Sequence, residues 1–177
     1  QPDFKGNLMV VEQDQTYEKS ATALSAASIR HQFSTPENIR LSQFGSHFLK
    51  NIDAYLAINQ ESPAVNFKER GYLFLATAQG LDILRSNHRT QRAENVDASL
   101  LSPDELQERY PWLNVQDLSA GSLGNSGEGW LDSYALMQGL RKKAISLGVR
   151  YEQARVERLH RSGRKVNSAE LSGGRVI

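Results

Sequence analysis

The spacing of apolar positions changes several times along the chain, and each change predicts an element. Residues 8–12 (LMVVE) form a short unbroken apolar run that stops on one acidic residue, the pattern of a buried strand. At 34–37, Ser34-Thr35-Pro36-Glu37 combines an S-x-x-E capping box with a proline near the first helical position. Phe44, Phe48, Leu49, Ile52, Tyr55 and Leu56 then recur at three and four residues, which predicts one long helix to about Asn59 with this stripe in the core. Residues 65–68 and 72–77 read as strands around Glu69-Arg70-Gly71, a hairpin with Gly71 available for φ > 0. Two mostly polar surface helices follow, one at 79–93 and one opened by the box Ser102-Pro103-Asp104-Glu105 that ends before Pro111. Residues 118–123 predict another strand, and Gly124, Gly127 and Gly129 a turn before Trp130, whose expected role is packing on the next helix. Asp132 is an N-cap for that helix, which runs to Leu147 and stops at Gly148. Leu136, Leu140 and Leu147 mark its apolar side and Arg141-Lys142-Lys143 a solvated one. Residues 150–159 and 165–171 flank Ser162-Gly163 as an antiparallel pair. Helices interleaved with hairpins, without a steady βαβ alternation, predict an α/β fold of mixed α and β structure.

Composition narrows the function classes. The 177 residues suffice for one domain burying about 70% of its unfolded surface. Twenty-one Lys and Arg against 20 Asp and Glu give a net charge of +1 with no basic stripe, which disfavours nucleic acid as a partner. No uninterrupted apolar run is longer than Tyr72 to Ala76, against the ~20 residues of a membrane helix, so no transmembrane segment is expected. Cysteine is absent and the four histidines are dispersed, so no disulfide, thiolate nucleophile or metal site is expected. The default compartment is cytoplasmic, with a membrane-peripheral or mitochondrial location as the alternatives for a eukaryotic source. Gly124-x-x-Gly127-x-Gly129 lacks both a preceding βαβ context and a closing Lys-Ser/Thr, and reads as a turn rather than a phosphate loop.

Chemistry concentrates in residues 8–34. A strand ending on an acidic residue and followed by a Ser/Thr/Ala segment is how the second strand of a dinucleotide-binding unit ends, its carboxylate accepting hydrogen bonds from ribose hydroxyls. The acidic residue here is Glu12. In such units it lies roughly 20 residues after a Gly-rich turn that seats the pyrophosphate on a helix N-terminus. Eleven residues and one glycine, Gly6, precede Glu12, so the reading is of a segment cut from a longer nucleotide-cofactor protein. On the residues alone, Glu12 also suits the solvated end of a buried strand, the Ser/Ala run a turn, and Arg30 a surface charge.

Several segments, taken in order, resemble the FAD-dependent amine and amino-acid oxidoreductases of the D-amino-acid oxidase superfamily. They are VVEQDQTYEKSAT at 10–22, LSAASIRHQFSTPENIRLS at 24–42, GYLFLAT at 71–77, LLSPDELQERYPWLN at 100–114 and EGWLDSYALMQGLRKKAISLGV at 128–149. Within the superfamily the similarity is greatest to the branch known in animals as an assembly factor for respiratory complex I. The resemblance implies an incomplete Rossmann-like FAD-binding domain plus part of an antiparallel-sheet substrate domain. It divides the chain into an FAD-binding region at 1–60, a substrate region at 61–130, and a helix and strand pair at 131–177 returning toward the FAD domain. It gives Glu12 the AMP ribose, places Ser20, Thr22, Ser25 and Ala26 along FAD, and puts Arg30 beside the flavin and substrate as the catalytic residue. His31 is expected to be a polar surface histidine. Two departures stand out. Relatives carry Gly-Gly where this chain has Ala27-Ser28, which predicts that backbone angles open to glycine are closed here. Leu24 stands where histidyl-linked relatives carry the linking histidine, so FAD is expected to be non-covalent. The implied activity is oxidation of the C–N bond of a small-molecule amine or amino acid by hydride transfer to flavin. The alternatives are a flavoprotein-like assembly or interaction protein without turnover, and an α/β domain unrelated to flavin. The 177-residue chain by itself is expected to be inactive, to lack FAD, and to self-associate through exposed strand edges.

Overall fold

The computed structural model describes residues 5–177. Strand β1 (Met9–Glu12) forms where the apolar run predicts it. It pairs in parallel with β8 (Arg150–Gln153), Met9 opposite Arg150 and Glu12 opposite Gln153, so the last third of the chain returns onto the first strand. A three-stranded antiparallel sheet contains β4 (Leu73–Ala76), β6 (Ala120–Gly124) and β5 (Ala98–Leu101) in the order β4-β6-β5. A smaller sheet joins β2 (Ser28–Ile29), β7 (Gly129–Trp130) and β3 (Lys68–Glu69), with β7 in the centre. The hairpin expected over 65–77 is therefore not formed, because β3 and β4 belong to different sheets. Gly71 does take φ +76. It turns the chain from one sheet to the other, and the Arg70 and Gly71 amides both donate to the Glu128 carbonyl at 3.1 and 3.0 Å. Trp130 sits in β7 and is 46% exposed.

Helix α1 (Pro36–Lys50) starts on Thr35, which is extended, with Pro36 at the first helical position. The expected box does not close. With Thr35 as N-cap, Glu37 falls at N2, one residue short of the reciprocal geometry, and no side-chain cap bond is present among the described residues. The helix also stops early. Asn51 (φ −113, ψ 30) separates it from α2 (Ile52–Leu56), and the Asn51 side-chain amide donates back to the His47 carbonyl at 2.8 Å. The buried face is Ile39, Ser46 and Leu49, continued by Leu56, whereas Phe44 of the expected stripe is 59% exposed. Polarity hides this face in the sequence: Ser42, Gln43 and Ser46 lie on it and bond to the Arg30 carbonyl, the Glu94 carbonyl and the His31 ring. Ile39 packs on Val96, Ala98 and Phe33.

Helices α3 (Leu81–Ala93) and α4 (Pro103–Arg109) flank the larger sheet, and the Ser102–Glu105 capping box of α4 is complete. Each anchors itself with one buried residue, Gln91 and Leu106. Asp132 caps α5 (Ser133–Ser146) by accepting from the Ala135 amide at 2.8 Å, and Gly148 (φ +92) follows its end. The two faces of α5 differ from the expectation. Arg141 lies over the Tyr151 ring at 5.2 Å and Lys143 donates to the Ala57 carbonyl at 2.8 Å, while Leu140 and Leu147 are exposed. Gly139 sets this orientation, since a Cβ there would press on Pro63. Strands β9 (Val156–Ser162) and β10 (Lys165–Leu171) form the expected antiparallel pair, but the predicted strand at 150–159 is divided between β8 and β9. Among the described residues no helix is long and apolar enough to cross a membrane.

Backbone packing at β7 makes a first prediction. A Cβ on Gly129 would overlap the Lys68 carbonyl of the neighbouring strand, whereas one on Gly80 meets only ordinary contacts beyond 3.4 Å. Gly129→Ala is expected to cost about 3 kcal/mol, and Gly80→Ala less than about 1 kcal/mol. Urea denaturation of the two variants checks this; similar midpoints would show that β7 yields without cost.

Candidate functional site

The site is organised by a carboxylate with no solvent exposure, Glu128, in the turn between β6 and β7. One oxygen accepts from the backbone amides of His31 at 2.5 Å and Gln32 at 3.0 Å, and the other from Gln32 Nε2 at 2.9 Å. Gln32 is itself fully engaged. Its Nε2 also donates to the Tyr72 carbonyl at 2.9 Å, and its Oε1 accepts from Ser122 Oγ at 2.6 Å. The absence of a side chain at Gly124 leaves room for the carboxylate, which a Cβ there would overlap. A buried charge is tolerated only when its lone pairs are filled, and three N–H donors do so here. The extended segment at 28–32 is thereby fixed, with Arg30 and His31 lining different cavities.

On one side lies His31, which is buried and not at the surface as expected. Its Nε2 is 2.6 Å from Ser46 Oγ, and Gly127 closes against the ring, where any Cβ would overlap it. Burial pushes the imidazole below its ordinary range; the Glu128 and Glu69 carboxylates oppose that shift and Lys50 adds to it. Lys50 Nζ pairs with Glu69 Oε1 at 2.8 Å, and the same oxygen accepts from the Gly127 amide at 2.6 Å. Hydrogen bonding to Lys50 is the largest cause holding the Glu69 carboxyl below the usual range.

On the other side is Arg30. Its guanidinium lies 4.7 Å from the centre of the Phe33 ring and 5.3 Å from that of Phe74, an arrangement over the ring faces that leaves the in-plane N–H donors for a ligand. It borders a groove of about 830 Å³ whose lining includes Thr22, Ser25, Ala26, Ala27 and Ser28. The closure expected at Ala27-Ser28 does not occur. Ala27 takes φ +50, a left-handed conformation costing about 1 kcal/mol, and its carbonyl is held by the Leu131 amide at 3.0 Å. The structure thus brings Thr22, Ser25, Ala26 and Arg30 onto one groove. Ser20 is outside it, with Oγ accepting from the Ala23 amide at 3.1 Å and touching Met137 Sδ at 3.9 Å. Glu12 is also outside it, at the end of β1, with one oxygen accepting from the Asp14 amide at 2.8 Å. Small side chains at Ala21, Thr22 and 25–28 let a cofactor approach the backbone, so this wall of the groove fits FAD, whereas Glu12 and Ser20 are not part of it. Glu128, Gln32 and Ser122 are absent from the residues singled out in the sequence. The one signal for Glu128 was its place between Gly127 and Gly129, where a lone acid needs glycine neighbours to be buried.

A family model described as FAD dependent oxidoreductase (DAO) matches residues 5–176. The chain belongs to that family. FAD-dependent oxidoreductase domain-containing protein 1 of Bos taurus is 41% identical over 163 residues, covering 92% of this chain and 34% of that protein. The Drosophila melanogaster homolog is 34% identical over 150 residues, 85% of this chain and 28% of its own length. The chain therefore spans about a third of the length of the curated relatives it matches. Among solved structures, L-proline dehydrogenase from P. horikoshii superimposes with a TM-score of 0.76 at 19% identity, over 98% of this chain and 50% of that one. Glycine oxidase from Geobacillus kaustophilus gives 0.75 at 18%, over 96% and 46%. These likenesses show that the DAO-family chain has the fold of FAD-binding oxidoreductases.

The environment of His31 predicts a pH dependence. With the folded value below the ordinary one, the unfolded chain binds the proton first, so stability is present above about pH 6.5 and is lost as pH falls toward the folded value. Urea midpoints at pH 7.5 and 5.5 should fall for the natural chain and fall less for His31→Gln. An equal drop in both would remove His31 from the acid response.

Proposed function

We propose that this DAO-family chain is part of an FAD-dependent oxidoreductase that oxidises the C–N bond of an amine or amino acid. The observation that carries the reading is Arg30, a cation stacked on Phe33 and Phe74 at the border of a groove walled by small side chains. The names of structurally similar proteins, L-proline dehydrogenase and glycine oxidase, support an amino-acid substrate. FAD, when bound, supplies the two-electron acceptor. The residues of this chain bind and orient. Thr22, Ser25 and Ala26 form the close wall, Ser20 holds the preceding turn through the Ala23 amide, and Glu12 accepts from the ribose. Arg30 receives the substrate carboxylate. Its guanidinium is held by the two rings, and its backbone by Ser42, whose hydroxyl donates to the Arg30 carbonyl. Neither a carboxylate nor an imidazole lines the groove among the described residues. The contribution of this segment is therefore positioning, with a bidentate, charge-assisted contact that fixes the Cα–N direction.

Two substitutions in the holoprotein test the roles separately. Glu12→Gln weakens a charge-assisted hydrogen bond and should raise the FAD dissociation constant by about 1.5–3 kcal/mol in binding energy; an unchanged constant would take the ribose away from Glu12. Arg30→Ala should lower the rate of flavin reduction by an amino acid at least tenfold while the melting temperature moves little. The inverse result, a large loss of stability with the rate kept, would make Arg30 structural. Absence of flavin reduction by every amine tried, with FAD bound, would favour the non-catalytic alternative.

A further inference from the structure

The two rings under the Arg30 guanidinium come from different segments. Phe33 lies on the same stretch as Arg30, whereas Phe74 belongs to β4. Both segments are tied to Glu128. On the Arg30 side, Ile29 pairs with Gly129, and the His31 and Gln32 amides donate to the Glu128 carboxylate, so Arg30 is bracketed by attachments to the β6–β7 turn. On the Phe74 side, the Arg70 and Gly71 amides donate to the Glu128 carbonyl. Gln32 closes the link through side chains. Its Nε2 donates to Glu128 Oε2 and to the Tyr72 carbonyl, both at 2.9 Å, and Tyr72 leads directly into β4. Ser122, opposite Phe74 on the neighbouring strand, holds the other end of that amide through its Oγ at 2.6 Å. Neither Glu128, Gln32 nor Ser122 lines the groove.

We infer that Glu128 is a positioning residue, and that its carboxylate sets the affinity of the groove for a ligand carboxylate by fixing Arg30 against Phe74. The inference rests on the reading of Arg30 as the carboxylate anchor. A guanidinium meets a carboxylate through a rigid fork of N–H donors, so the contact weakens when the cation turns or shifts. An uncharged ligand of the same shape makes no such demand. Glutamine at position 128 keeps the size of the side chain but places an N–H against either the two backbone amides or Gln32 Nε2, so one side of the link opens whichever way the amide turns. Ser122 acts one step further out, by orienting Gln32. Loss of the Glu128 carboxylate therefore reaches a ligand only through Arg30, and has nothing to act on once Arg30 is removed. A purely structural role would weaken every ligand, with or without Arg30.

The test is titration of the full-length, FAD-loaded protein, read as the perturbation of flavin absorbance, with two probes that carry no amine to oxidise: cyclopentanecarboxylate and its neutral isostere cyclopentanecarboxamide. The natural protein should bind the carboxylate about tenfold more tightly or better. Glu128→Gln should weaken the carboxylate by about tenfold and the carboxamide by less than about twofold, and should move neither by more than about twofold when added to Arg30→Ala. Ser122→Ala should weaken the carboxylate about threefold and leave the carboxamide unchanged, and it decides by the same comparison if Glu128→Gln yields no holoprotein. Equal weakening of both probes, an effect that persists beside Arg30→Ala, or unchanged carboxylate binding would overturn the positioning role alone. Failure of the anchor reading shows differently, as a natural protein without carboxylate preference or a preference that survives Arg30→Ala, and it would overturn the positioning role as well.

Discussion

Burial of one carboxylate constrains most of what is distinctive in this fold. Glu128 has no solvent exposure, and an ionised side chain in that position requires donors that do not move. They come from the His31 and Gln32 amides and the Gln32 side chain, so one residue in the β6–β7 turn dictates the path of a segment nearly a hundred positions earlier. The same residue's carbonyl takes the Arg70 and Gly71 amides and fixes where the chain leaves β3 for β4. Three segments far apart in sequence therefore meet at one buried charge. The glycines around it follow from that geometry: Gly124 makes room for the carboxylate, Gly127 for the His31 ring, and Gly129 for the Lys68 carbonyl.

This explains which parts of the structure were legible in the sequence. Elements governed by local chemistry were: β1 from its apolar run, α4 from its capping box, α5 from Asp132 and Gly148, and the β9–β10 pair around Gly163. The family resemblance added the fold class. What local patterns did not carry was partnership. Residues 65–77 look like a hairpin because two strand-like runs flank a glycine, yet each strand pairs with β6 or β7, whose positions depend on Glu128. The buried face of α1 was unreadable for a related reason. Ser42, Gln43 and Ser46 resemble a solvated face, yet Ser46 is buried and Ser42 and Gln43 half-buried, because polar atoms of distant segments bond to them. His31 failed on the same ground: nothing near it in sequence announces Ser46 or Gly127 as neighbours.

Of the residues that the resemblance placed along FAD and flavin, four line one groove and Glu12 and Ser20 do not, and the support behind the groove was not legible. Thr22, Ser25, Ala26 and Arg30 do share a groove. Their arrangement relies on Ala27 at φ +50, a conformation that the residue type argues against and that the Leu131 amide holds from the far side of the groove. A strained residue persists only where its surroundings over-determine it. Here those surroundings are the β2–β7 pairing, Ser28 opposite Trp130 and Ile29 opposite Gly129, one residue away from the Glu128 carboxylate.

Two consecutive residues then acquire opposite environments from one constraint. Successive side chains of an extended segment project to opposite faces, so holding the amides of His31 and Gln32 also determines which way Arg30 must point. Arg30 reaches the groove, while the His31 ring lies in the polar pocket with Ser46 and Gly127. The geometry offered to a ligand is accordingly not a property of the loop that carries Arg30. It is set from the interior, through backbone amides committed to the Glu128 carboxylate. A change that left every groove residue in place but altered the charge or size of residue 128 would still redirect the guanidinium. The residues that support Arg30 thus extend to a strand turn that no inspection of the 8–34 motif alone would include.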